Sequence, residues 1–203
     1  MGSGAKGNRQ GLRLGVFCLT LMAMACNDDS ATFRLTTVTK SGCATNQFPF
    51  EPTLFSASPT PTGVFIRMAA NNKATTEADT FFLNLIEGPL VGQSAECPKI
   101  STLAGTSAAL GPTGCIQAYF RFLESCRDDF VNPLVVGTVT FESLGLEEDD
   151  VIKGTLTGQL VDFTTGEPGG IPASSEVPLA DLEGEFDFTV KIGPSYQTFG
   201  TPP

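Results

Sequence analysis

Glu183, Glu185 and Asp187 are spaced two residues apart in Glu183-Gly184-Glu185-Phe186-Asp187, the most chemically suggestive pattern in the chain. On an extended backbone such acids project from one face. Neighbours then lie about 6.6 Å apart by strand rise, close to the ~5 to 9 Å between the paired carboxylates of glycosidases. Carboxylate chemistry matters here because the chain has no histidine. That absence removes the usual general base and the commonest transition-metal ligand together, so Ser-His-Asp, Cys-His and histidine-ligated zinc mechanisms are excluded.

The stretch slightly resembles the E-x-D-x-x-E strand of jelly-roll endoglucanases of the laminarinase type. It departs where that motif carries its acid/base, since counting on from Glu185 and Asp187 reaches Val190. The chain also has no Trp and only Tyr119 and Tyr196, so it lacks most of the aromatic surface that sugar sites favour. A solvated outer strand face is therefore expected for the three acids. A second acidic run, Glu147-Glu148-Asp149-Asp150, falls between two strands and could offer oxygens to calcium. Four consecutive acids do not specify the roughly six to eight spaced oxygens calcium takes, and a charged hairpin tip is expected. No phosphate-binding glycine loop, dinucleotide fingerprint or basic aromatic patch is present. No residue is assigned as catalytic, cofactor-binding or metal-binding, and no cofactor is expected.

The amino terminus differs in kind from the rest of the chain. Residues 1–25 hold Lys6, Arg9 and Arg13, no acid, and the apolar run Leu14 to Ala25. A basic region, an apolar region and small residues at a cleavage point are the parts of a signal peptide. As a helix the run would rise only about 18 Å against a hydrocarbon core of roughly 30 Å, too short for a comfortable span. Ala23-Met24-Ala25 matches ordinary signal-peptidase cleavage. Leu21-Met22-Ala23-Met24-Ala25-Cys26 resembles the lipobox of bacterial lipoprotein precursors, over these residues alone, with Ala23 where that family usually has Leu and Met24 where it has Ser or Ala. The resemblance implies cleavage before Cys26, a diacylglyceryl thioether on its sulfur and an acyl chain on its new amino group. Several chains give an anchoring strength that one does not. Asn27 in place of Asp after the cysteine implies the outer membrane, and a periplasmic or secreted soluble protein is the alternative. A myristoylation start fails at Lys6.

Cleavage leaves 178 of 203 residues, enough for one domain with a sizeable core. The mature chain keeps nine basic residues against 22 acidic ones, a net charge of −13. Nucleic acid is an unsuitable partner for such a surface.

With Cys18 in the signal and Cys26 taken by lipid, Cys43, Cys97, Cys115 and Cys126 remain, an even number in an oxidising compartment, so two disulfides are expected. Of the three connectivities, Cys115 to Cys126 is disfavoured. The alternation of Ile116, Ala118, Phe120 and Phe122 with Gln117, Tyr119 and Arg121 makes that segment extended, with ends about 36 Å apart against the roughly 4.4 to 6.8 Å a bridge needs. Between the other two, Cys97 to Cys115 with Cys43 to Cys126 is preferred, because it closes the irregular stretch between Cys97 and Cys115.

Period-two alternation recurs along the mature chain and helical periodicity is nearly absent. Strands are expected over Thr32 to Lys40, Gly63 to Ala70, Thr80 to Ile86, Cys115 to Leu123, Leu134 to Glu142, Val151 to Phe163 and Leu182 to Ile192. Ser56 to Gly63, Pro98 to Gly114 and Thr164 to Ala180 read as loops, with one short helix within Lys99 to Leu110. Fifteen of the 16 phenylalanines lie beyond the signal and should dominate the core. The expected architecture is all-β: a disulfide-stapled antiparallel β-sandwich, with a partly open barrel as the alternative. The organisation is a signal peptide over 1–25, a lipidated tether over 26–31 and one domain over 32–203. The expected function is that of a non-catalytic envelope lipoprotein, held to the membrane by its lipid, that binds a partner protein, a polysaccharide or a hydrophobic ligand. A carboxylate-only glycosidase is the alternative. The two part on whether Glu183, Glu185 and Asp187 line a concave cleft or a flat or convex face.

Overall fold

A computed structural model describes residues 29–38, 44–71, 78–89, 96–125, 132–163 and 176–191. The signal segment, Cys26, Cys43 and Cys126 lie outside the described residues. The described residues form eleven strands: β1 Ser30–Val38, β2 Leu54–Thr60, β3 Gly63–Ala69, β4 Thr80–Ile86, β5 Gly88–Pro89, β6 Glu96–Cys97, β7 Ser107–Leu110, β8 Ile116–Arg121, β9 Leu134–Leu144, β10 Val151–Phe163 and β11 Glu176–Thr189. β5 and β6 pair only with each other. The other nine form one sheet in the order β1-β11-β10-β9-β7-β8-β4-β3-β2, in which β9 also pairs with β8. All pairings are antiparallel except the short parallel contact of β7 with β8 through Leu110 and Ile116.

The all-β, disulfide-stapled fold expected from the alternation is present, as one sheet curled into a half-barrel. Its opposing halves pack inner face to inner face, as the two layers of a sandwich do. Phe55 of β2 stacks on Phe188 of β11 at 5.1 Å between ring centroids, and Phe33 of β1 lies 4.4 Å from Phe81 of β4. On the open side of β1, Phe33 exchanges backbone hydrogen bonds of 3.0 Å with Phe50, in the connection that leads to β2.

Strong curl requires small residues where backbones converge. Gly137 of β9 and Gly158 of β10 face each other in the ladder, and a Cβ on either would strike the opposite strand's backbone. Gly184 of β11 points inward between Leu182 and Phe186, and a Cβ there would drive into the Phe33 ring.

Each of the three stretches expected as loops contributes residues to a strand. Ser56 to Thr60 lies in β2, despite Pro59, because β2 is an edge strand, where a missing N–H need not cost a ladder bond. Ser107 to Leu110 pairs with β9, and the helix expected within Lys99 to Leu110 is a single 3₁₀ turn at Ile100–Thr102. β11 begins at Glu176, six residues before the expected start, so the last five residues of the connection expected over Thr164 to Ala180 belong to the strand. A further 3₁₀ turn spans Ala44–Gln47, and among the described residues there is no α-helix.

One end of the sheet gathers the start of β1, the end of β11, the turn between β9 and β10 and the turn between β2 and β3. The other end gathers Val38, the end of β10 and the start of β11, and Asp79 beside Ser125.

Candidate functional site

β11 alternates with period two. Leu182, Phe186 and Phe188 are buried, while Glu183 and Glu185 are exposed on the opposite face and Asp187 is half-buried there. The register gives each acid its neighbours. Glu183 stands between Arg34 of β1 and Thr157 of β10, Glu185 between Thr32 and Thr155, and Asp187 between Ser30 and Lys153. On β9, Thr138 and Thr140 extend the rows beyond Thr157 and Thr155. The outer face of β1, β11, β10 and β9 is thus a field of threonines crossed by a stripe of carboxylates.

A shallow depression of about 250 Å³ on this face is lined by Thr32, Arg34, Thr155, Thr157, Glu183, Gly184 and Glu185. Beside it, Lys153 Nζ lies 3.3 Å from Asp187 Oδ2 and 3.4 Å from Glu142 Oε2. Hydrogen bonds to Asp187 and then Glu142, with the attraction of both charges, hold the Lys153 pKa above its ordinary value.

All three sequence-singled acids therefore share one outer face, and none lies on the inner face. A general acid of glycosidase type needs a carboxyl lifted out of water so that it keeps its proton at the working pH. Glu183 and Glu185 instead stand in solvent beside threonine hydroxyls and a guanidinium, and Asp187 is paired with an ammonium. The arrangement offers hydroxyls, carboxylates and one arginine on a broad, solvent-facing surface.

Two of the four acids in the turn between β9 and β10 hold the turn and the chain after β11 in place. Asp150 Oδ2 accepts from the Glu147 N–H at 2.9 Å, and Asp149, at φ 69°, pairs with Lys191 at 3.0 Å. Among the described residues no three His, Cys, Asp or Glu side chains are grouped to hold a metal ion. Cys97 and Cys115 form a disulfide with 5.4 Å between Cα atoms, tying β6 to the start of β8. The extended β8 agrees with the geometric reason against Cys115 to Cys126.

Sequence reasoning missed the outer face of the other half. Phe65 of β3, Phe82 of β4 and Tyr119 of β8 stack in a row at 5.1 and 4.8 Å, with the Arg121 guanidinium 5.5 Å from the Phe82 ring. Ser56, Arg67 and Phe82 point outward in register yet are buried. Burial lowers the Arg67 pKa from its ordinary value. It also raises that of Tyr119, against the smaller opposing effect of Arg121. The signal was present in Phe81-Phe82-Leu83, because a strand buried on both faces reads as a continuous apolar run. Asp79, also buried, anchors the chain beyond β8 by accepting from the N–H groups of Glu124 and Ser125 at 2.9 and 3.2 Å and from the Ser125 hydroxyl.

No family model, curated protein or solved structure matches this chain, so its function is read from its own residues.

Proposed function

We propose that this chain is an exported lipoprotein of the bacterial envelope, cleaved before Cys26 and anchored to the outer membrane through it. Its curled sheet is a non-catalytic binding module for an envelope protein or polysaccharide. The observation that carries the second half of this reading is the position of Glu183, Glu185 and Asp187. They stand on the outer side of the sheet, among threonines and in an ion pair, and among the described residues Glu183 and Glu185 line only a shallow depression open to solvent. The first half rests on the order of charges and apolar residues in 1–25 and on a fold whose first strand begins only four residues after Cys26.

The anchor is tested by Cys26→Ser, which should abolish acyl labelling and release the protein into the soluble periplasmic fraction. Unchanged membrane association of that variant would overturn it. The binding role is tested by crosslinking the lipidated protein in its own cells, with and without Glu183→Arg and Glu185→Arg. A partner lost with the charge reversals and kept in Lys99→Glu, away from this face, supports the outer face as the contact. A partner retained through both reversals would remove the outer face from the reading.

A further inference from the structure

The covalent path from the anchor into the fold is short. Cys26 and Asp29 are three residues apart, at most about 11 Å of extended chain. Asp29 is already fixed, since its Oδ1 accepts from the Thr189 N–H at 2.7 Å, and β1 begins at the next residue, opposite Asp187. The residues around that point form one end of the sheet. Val190 O accepts from the Asp149 N–H at 3.0 Å, which sets the β9–β10 turn beside the end of β11. Leu146 of that turn shares a depression of about 500 Å³ with Thr62 of the β2–β3 turn, Glu87 and Lys99, so both halves of the sheet contribute to this end. Val38, at the opposite end, stands eight residues along β1 from Ser30, about 26 Å of strand.

Resting on the lipid-anchor reading above, we propose that the domain stands end-on upon the lipid surface. The β9–β10 turn and the start of β1 lie at the headgroups, and the outer face and the Val38 end point away. Three residues leave the protein almost no clearance above a headgroup layer roughly 5 to 8 Å deep. Charge does not do the seating. Glu87, Glu96, Glu147, Glu148 and Asp149 outnumber Lys99 and Lys191 at this end, so anionic lipid repels it and the tether alone brings it down. The opposite end and the outer face thereby stay open to partners.

The test uses the full lipidated chain in phosphatidylcholine vesicles containing a headgroup nitroxide lipid. Glu148→Cys at the turn, Thr157→Cys on the outer face and Thr37→Cys at the far end each carry a thiol-linked fluorophore. The Glu148 probe should lose most of its emission and the other two little. A flexible 20-residue Gly/Ser insertion after Asn27, spanning about 25 Å, should remove the difference. Quenching at Thr157 as strong as at Glu148 would mean a side-on domain and overturn the proposal. Three bright probes on a chain whose Cys26 is acylated by mass would overturn it while leaving the anchor intact. A chain with no acyl group on Cys26 overturns both.

Discussion

The two outer surfaces of the curled sheet obey different rules. Over β1, β11, β10 and β9 the strands alternate cleanly, phenylalanine and leucine inward and threonine, glutamate and lysine outward, as in a sheet with one wet face. Over β2, β3 and β4 the alternation fails, although β8 beside them keeps it. Ser56, Arg67 and Phe82 face outward and are as buried as the core, and Phe65, Phe82 and Tyr119 form an aromatic row there. One backbone ladder thus carries a one-sided half that displays polar groups and a two-sided half that hides them. The proposed binding role rests on the half that displays them, where hydroxyls and carboxylates remain in contact with solvent.

The contrast breaks first at the phenylalanines. Phe186→Ala and Phe188→Ala should each cost about 3 to 5 kcal/mol, since both rings are fully buried. Phe82→Ala should fall in the same range although its register is outward. Denaturant titration checks all three, and a cost below about 1 kcal/mol for Phe82 would make the second half one-sided after all. Reducing Cys97–Cys115, or replacing both residues by alanine, should cost about 3 kcal/mol, the loop entropy of an 18-residue closure, read from midpoint and slope together because the released unfolded chain is more expanded. Non-reducing peptide mapping of the native chain should recover that pair and, with it, Cys43 joined to Cys126. Gly184→Ala, on the inward side of the wet half, should cost about 1 to 3 kcal/mol, because its methyl group must displace the Phe33 ring. Glu185→Ala and Asp187→Ala on the outward side should stay within about 0.5 kcal/mol. If both alanine variants instead became markedly more stable and a polysaccharide-cleaving activity vanished with them, the surface would be a catalytic one and the binding reading would fall.

Lys153 sharpens the picture of the wet half through pH. Its pKa is raised in the folded protein by Asp187 and Glu142. The stability it lends is therefore complete below the ordinary lysine pKa and is lost as pH rises through the higher folded value. The effect is small because the group is exposed. A Lys153→Met chain should lack that alkaline decline in midpoint, and an identical decline in both proteins would remove the ion pair as its cause.

What was legible in the sequence is what local chemistry dictates. Period two in Leu182 to Val190 requires a strand with one apolar face, the even cysteine count points to disulfides of which Cys97–Cys115 is present, and the absence of histidine closes most catalytic routes before any fold is known. For the Cys97–Cys115 pair, the extended β8 removes only Cys126 as a partner of Cys115, and the choice of Cys97 over Cys43 rests on the irregular stretch that the bridge closes. The missed strands have a common cause. β2 carries Pro59 and β7 is four residues of Ser, Ala and Leu, so neither announces itself, and each exists because a neighbouring strand offers an unfilled ladder. Only the tertiary structure decided that the sheet is continuous and curled, because curl depends on which glycines meet. Gly137 opposite Gly158 is a pairing between strands, invisible along either one. The burial of Arg67 and Ser56 was decided there too, since whether an outward side chain meets water depends on what packs over the sheet and not on the strand that carries it.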